Sequence, residues 1–189
     1  MADMVTITFD EAKLKRLRRD LTDIPKSLPK IVSRSINKVA TYTRTKIVKA
    51  ITADVNLKRG DVTKRNIRTK KASYRHWSAT IGVSGRRVPV HQFGARQTRK
   101  GVSYKIRKSA GRQTIAGAFI ARMPSGHEGV YRRSGKTALP IIELYGPSVP
   151  QVMSNVGDLA QPQIEADAGA RLEREIDTQV GLLIERRNR

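Results

Sequence analysis

Three histidines, His76, His91 and His127, and the carboxylates near them are the side chains of this 189-residue chain best suited to proton transfer or metal binding. None of the histidines stands at a metal-ligand spacing from another histidine or from a carboxylate. His127 and Glu128 adjoin in a glycine-rich turn, where a lone carboxylate reads as a solvated turn residue. No Gly-x-Ser-x-Gly elbow presents a serine nucleophile. Residues 82–85, Gly-Val-Ser-Gly, lack both the Lys-Ser/Thr end of a phosphate-binding loop and the longer glycine fingerprint of dinucleotide sites. The chain has no cysteine, which removes thiol chemistry, disulfides and cysteine-based zinc sites and is compatible with the cytosol. These spacings argue against an enzyme, and they imply neither a cofactor nor a metal.

The chemistry that remains is charge. Lysine and arginine number 38 against 16 acidic residues, a net charge of +22. That is far beyond what solubility asks of a small domain. The charge is also uneven, for no acidic residue occurs between Asp61 and Glu128 while lysines and arginines recur throughout. A short run of this kind is usually a solvated face. One this long without a compensating carboxylate points to an anionic partner, nucleic acid first. Tyr74, Trp77, Phe93, Tyr104, Phe119, Tyr131 and Tyr145 lie among the basic residues and could stack on bases. The plainer reading makes Trp77, Phe93, Phe119 and Tyr145 core members of their strands. No helix-turn-helix, zinc-finger or ribonucleoprotein signature is present, so any nucleic acid would be held by its phosphates, independently of sequence.

The elements that must position these groups follow from periodicity. Residues 4–9 alternate as a short strand, and Asp10 then caps a helix carrying Leu14, Leu17 and Leu21. From Ser27 or Pro29 to about residue 52, Val32, Ile36, Val39, Ala40, Thr43, Ile47 and Ile51 form one apolar stripe of an amphipathic helix. After Gly60, Asp61 is placed to cap a short basic helix over 62–67. The period then changes to that of strands: 78–85, 86–94, 102–106, 114–122, 129–133 and 139–146. The fourth contains Gly117 and is followed by a Pro-Ser-Gly turn and a second short strand. Between strands, Gly94–Gly101 and Lys108–Gln113 read as basic loops. Gly146, Pro147 and Pro150 precede a final helix over 152–187, broken near Gly157 or Pro162, with Ile164, Ala168, Leu172, Ile176, Val180 and Ile184 at intervals of four. Its acidic centre suits packing against the basic sheet of its own or a neighbouring subunit.

The expected fold is therefore α+β: N-terminal helices, one of them long and amphipathic, a mostly antiparallel central sheet with basic loops, and a C-terminal helix. Residues 1–150 read as one domain, with helices over 10–52 and a sheet over 72–146, and 151–189 as an appended helical segment. Hydrophobic residues make up only 38 % of the chain and aromatics 5 %, which suits a subunit that completes itself against neighbours. The first residues lack the apolar core of a signal peptide, and no run approaches a membrane span; a protein made in the cytoplasm and without membrane contact is expected.

The order of motifs resembles the minor tail protein Z family of tailed phages and prophages. The resemblance rests on the helix Leu28–Ile51, the connector Val55–Ile67, the core Thr114–Arg133, and Ala138–Met153 leading into the last helix, and it runs from about residue 25 to the end. None of these is a catalytic motif. The resemblance implies a virion structural protein at the head-proximal end of the tail, acting in tail completion and placing the leading end of the genome in the tail channel. It also implies a homo-oligomeric ring, with a hexamer favoured, touching the tail tube or tail terminator and neck proteins. Within that frame, Arg96, Arg99 and Lys100 in the first loop and Lys105, Arg107, Lys108 and Arg112 around the second are the candidates for facing DNA in the lumen. Phe119 and Ile120 in the apolar strand, and Ile141, Ile142 and Leu144 after Pro140, are the candidates for assembly, although core burial is the simpler role for any one of them. The competing reading is a free, sequence-independent nucleic-acid-binding protein.

Overall fold

The structure is a computed structural model that describes residues 3–8 and 28–187. It is α+β. In chain order the elements are β1 (Asp3–Thr8), α1 (Leu28–Asp54), α2 (Arg59–Asn66), β2 (Ile67–Lys70), β3 (Ser78–Val83), β4 (Arg87–Pro89), a 3-10 turn (Val90–Phe93), β5 (Arg96–Thr98), β6 (Gly101–Tyr104), β7 (Gln113–Ala116), β8 (Ala118–Arg122), β9 (Glu128–Arg133), β10 (Ile141–Glu143), β11 (Tyr145–Ser148) and α3 (Val149–Arg187). The expected helix capped by Asp10 lies outside the described residues. Asp61 stands inside the first turn of α2 rather than before it, because that helix opens earlier, at Arg59.

Backbone packing divides the described residues into two compact units. One draws on 28–47, 67–82 and 157–187 together with β1. Here the stripe read from the sequence is the buried face of α1: Val32, Ile36, Val39, Ala40, Thr43 and Ile47 are all within 1 % of fully buried. Ile164, Ala168, Leu172 and Ile176 form the corresponding face of α3. The expected break in α3 does not occur. The helix continues through Pro162, which costs it one backbone donor. The two helices run antiparallel, as three side-chain pairs at matched spacing show. Lys38 Nζ meets Glu175 Oε2 at 2.7 Å, Arg171 stacks on the Tyr42 ring at 4.1 Å, and Lys46 Nζ approaches Asp167 Oδ2 at 3.8 Å. The Asn37 amide binds the backbone of Ala72 on both sides, donating to its carbonyl at 3.0 Å and accepting from its N–H at 2.8 Å. That pair of bonds ties the segment between β2 and β3 to α1, and the strands of this unit are ordered β1-β3-β2.

The other unit draws on 48–66 and 83–156. It holds three small sheets, ordered β10-β9-β8, β5-β6-β7 and β11-β4, with every pairing antiparallel. The stretch 114–122, an apolar run expected as one strand, is two strands in two sheets. Gly117 has φ +69°, a conformation open to glycine at little cost, and the reversal there sends β7 to pair with β6 and β8 to pair with β9. Val90, Val102, Ala118 and Val130 form a buried cluster, with Ala95, Tyr104, Ile115, Ile120 and Leu144 packed around it. The sheets are thus joined by a shared core, and the polar turns are left at the surface.

Candidate nucleic-acid interface

The first basic loop is a hairpin. Arg96, Gln97 and Thr98 pair with Ser103, Val102 and Gly101, leaving Arg99 and Lys100 as the connection. The sequence gives no alternation here because β5 is exposed on every side chain. The tip is braced from below. Thr98 Oγ1 donates to the Gly101 carbonyl at 2.8 Å, and Gln97 Nε2 donates to the same oxygen at 3.2 Å. Gln97 Oε1 accepts the Ile120 N–H at 2.9 Å, and the Lys100 carbonyl accepts the Gly117 N–H at 3.3 Å. Gly101 has φ +146°, and a Cβ there would run into the Ile115 carbonyl. The hairpin can therefore lie this close to β7 only because residue 101 has no side chain. Arg96, Arg99 and Lys100 are exposed and form no ion pair among the described residues.

The second loop, Lys105–Arg112, is held at both ends. The Lys105 N–H donates to the Phe93 carbonyl at 3.2 Å, the Asn56 N–H to that of Ile106 at 2.7 Å, and the Lys108 N–H to that of Asp54 at 2.7 Å. Val55 and Arg107 form an isolated bridge, so the end of α1 supports this loop directly. The cations differ in what they do. Arg107 Nε lies 3.9 Å from Asp54 Oδ2. Arg112 directs its guanidinium inward, donating to the carbonyls of Gly94 at 2.8 Å and Ser103 at 2.9 Å and to Ser103 Oγ at 3.1 Å. It ties the two loops together while remaining exposed. Lys105 is half-buried and Lys108 exposed, and neither is ion-paired among the described residues.

The apolar candidates divide in the same way. Ile120 and Leu144 pack on the shared core, and Phe119 is half-buried with its ring 6.3 Å from that of Tyr131 and under the Arg133 guanidinium at 5.7 Å. Ile141 is half-buried, whereas Ile142 is 53 % exposed. Among the aromatics read as core, Phe93 is fully buried, Trp77 and Phe119 are half-buried, and Tyr145 is exposed.

The periodicity did not reveal a polar cluster centred on Glu143. Its Oε2 accepts the Tyr145 hydroxyl at 2.6 Å and its Oε1 meets His127 Nε2 at 2.7 Å. The side chain beside His127 in sequence, Glu128, lies 4.0 Å from His91 instead. A Cβ at Gly129 would meet Glu143 Oε1 at 2.8 Å and the Tyr131 hydroxyl at 3.0 Å, so this glycine makes room for the cluster. Burial, reinforced by the Glu143 charge, pushes the Tyr131 phenol up. The hydrogen bond to Glu143 does the same for Tyr145, with burial and the nearby charges adding to it. No set of three histidine, aspartate or glutamate side chains suited to a metal ion occurs among the described residues. Nor is any helix among them long and apolar enough to cross a membrane.

Comparison with known proteins identifies a family. The family described as prophage minor tail protein Z (GPZ) matches residues 14–186. No curated protein and no solved structure matches the chain.

Proposed function

The chain belongs to the prophage minor tail protein Z family, structural components of phage tails, and from that premise we propose that it completes the head-proximal end of the tail as a closed ring that positions genome DNA in the channel. The observation that carries the DNA part is the braced β5–β6 tip, where Arg96, Arg99 and Lys100 are exposed, unpaired and fixed by bonds that leave their charges unengaged. Lys105 and Lys108 join them on the second loop, with Arg107 and Arg112 acting as its supports. Repeated around a cyclic assembly, a hexamer by preference, such tips concentrate positive potential on the axis, where duplex DNA neutralises it. A flexible loop would lose part of that gain in ordering itself. The ring meets the tail tube or tail terminator on one side and neck proteins on the other. Its apolar contacts with those partners centre on Ile142 and Ile141, while Phe119, Ile120 and Leu144 shape the surface from beneath. The function is structural and involves no turnover.

Replacing Arg96, Arg99 and Lys100 together with glutamine tests this. The variant should fold and enter particles, since none of the bracing bonds uses these side chains, and DNA retention and infectivity should fall by roughly tenfold or more as phosphate contacts are lost. Particles that hold their genome and infect as the parent does would end the assignment. A free binder of nucleic acid is the second reading, favoured by the exposed unpaired charge of the single chain.

A further inference from the structure

β10 is an edge strand, paired with β9 on one side and, among the described residues, with no strand on the other. Its register sets Ile142 opposite Arg132, and the ladder bonds on either side run from the Leu144 N–H to the Val130 carbonyl at 2.8 Å and from the Ser134 N–H to the Pro140 carbonyl at 3.0 Å. Bonded and unbonded pairs alternate in an antiparallel ladder. Ile142 therefore turns its backbone toward β9, and Ile141 and Glu143 turn theirs outward. The cover over this edge begins at Leu144, whose carbonyl accepts the Val90 N–H at 2.9 Å.

Native edges are usually blunted by charge, proline or a bulge. Here Pro140 precedes the strand, and the side chains standing at the open stretch are apolar: Ile142 is 53 % and Leu139 is 70 % exposed. Around them Arg132, Arg133 and Lys136 are exposed, and no acidic residue occurs from Gly129 to Ile142. The two carboxylates of β9 and β10 are both occupied: Glu143 is engaged by Tyr145 and His127, and Glu128 lies 4.0 Å from His91. A second copy fits this edge poorly. Pairing β10 with β10 would bring two identical basic margins together on a chain already at +22.

We propose that the free edge of β10 takes up an extended acidic segment of another protein as a fourth strand of the β10-β9-β8 sheet. The outward backbone groups of Ile141 and Glu143 pair with it, Ile142 and Leu139 receive its apolar side chains, and Arg132, Arg133 and Lys136 receive its carboxylates. This deepens the assembly reading by giving the chemistry of one partner, and it does not require the ring.

The experiment uses the full chain and two labelled peptides, one alternating valine and glutamate, the other identical but N-methylated at every residue, so that neither of its edges can pair. The two carry the same charge, and only the first can extend a sheet. Binding of the first should slow amide exchange at Ile141 and Glu143 by about tenfold or more, equivalent to about 1.4 kcal/mol. The N-methylated peptide should not. Ile142→Asp, at an exposed position, should keep the fold and weaken binding of the first peptide by about tenfold. Equal binding of both peptides, protection elsewhere in the chain, no binding at all, or protection of these two amides that rises with protein concentration before any peptide is added would each overturn the proposal. If rings form without protection by the peptide, this inference fails and the ring stands. A chain that stays monomeric yet gains the expected protection supports the inference, which does not depend on the ring.

Discussion

Glu143 accepts from a phenol on one oxygen and meets an imidazole on the other, and its neighbours record that charge. Tyr145 is the sensitive reporter because its own hydrogen bond to Glu143 is the largest cause of its raised pKa, whereas burial dominates at Tyr131. A phenol whose pKa is raised by folding adds stability that is fully present below its ordinary value, about 10, and is lost as pH rises through the folded value. Glu143→Gln should therefore return the Tyr145 ionisation toward about 10 and lower that of Tyr131 only in part, as followed by the ultraviolet absorbance of phenolate. No movement of either would show that the carboxylate does not set these values, and equal movement of both would show that burial does not dominate at Tyr131. None of this was legible in sequence, where His127 adjoins Glu128. The residue it pairs with is sixteen positions away in the chain and is brought to it by the antiparallel return of β9 into β10. Arg112 is a similar case: composition gives it a charge, and only the fold gives its donors carbonyls to bind.

The elements best legible from residue spacing were those whose side chains face one apolar neighbour. The stripe of α1, the repeat of four along α3 and the β8–β9 hairpin are of this kind, since a long helix or a half-buried strand repeats its burial at a fixed period. β5 was not legible, because Arg96, Gln97 and Thr98 bury nothing and so alternate nothing. The segment Val90–Phe93 read as strand but forms a 3-10 turn that places Val90 and Phe93 in the interior together. The boundary at Gly117 also escaped, because the apolar run from Ile115 to Ala121 continues across it and hides the reversal in φ. For the basic hairpin, the decisive position is Gly101. Gly101→Ala should destabilise by about 1–3 kcal/mol from backbone strain alone, with the collision at the Ile115 carbonyl adding to it. Gly111→Ala, with nothing within 4 Å of the added carbon, should stay within roughly 0.5 kcal/mol of the parent. Denaturant midpoints of the two variants decide the matter, and equal midpoints would mean that the tip is not held as described.

At the scale of the molecule, a net charge of +22 opposes every contact between copies, so assembly requires something to offset it. Light scattering across a salt series, with and without a short DNA duplex, separates the two functional readings. A tail component should show weak affinity for free duplex, and added salt should favour association between copies by screening their repulsion. A monomer that binds duplex tightly and releases it steeply with salt would support the free binder instead. The helix pair carries a further consequence. Lys38, Tyr42 and Lys46 face Glu175, Arg171 and Asp167, each set spaced by four residues, with one arginine at the centre of the second. If α3 slid one turn along α1 in either direction, its apolar stripe would still find apolar neighbours, and hydrophobic burial alone would hardly resist. Arg171, however, would then stand opposite Lys38 or Lys46. The ladder works as a keyed joint, in which an acid–base pair at each end and an aromatic ring shared by two cations at the centre favour one alignment of two otherwise repetitive surfaces.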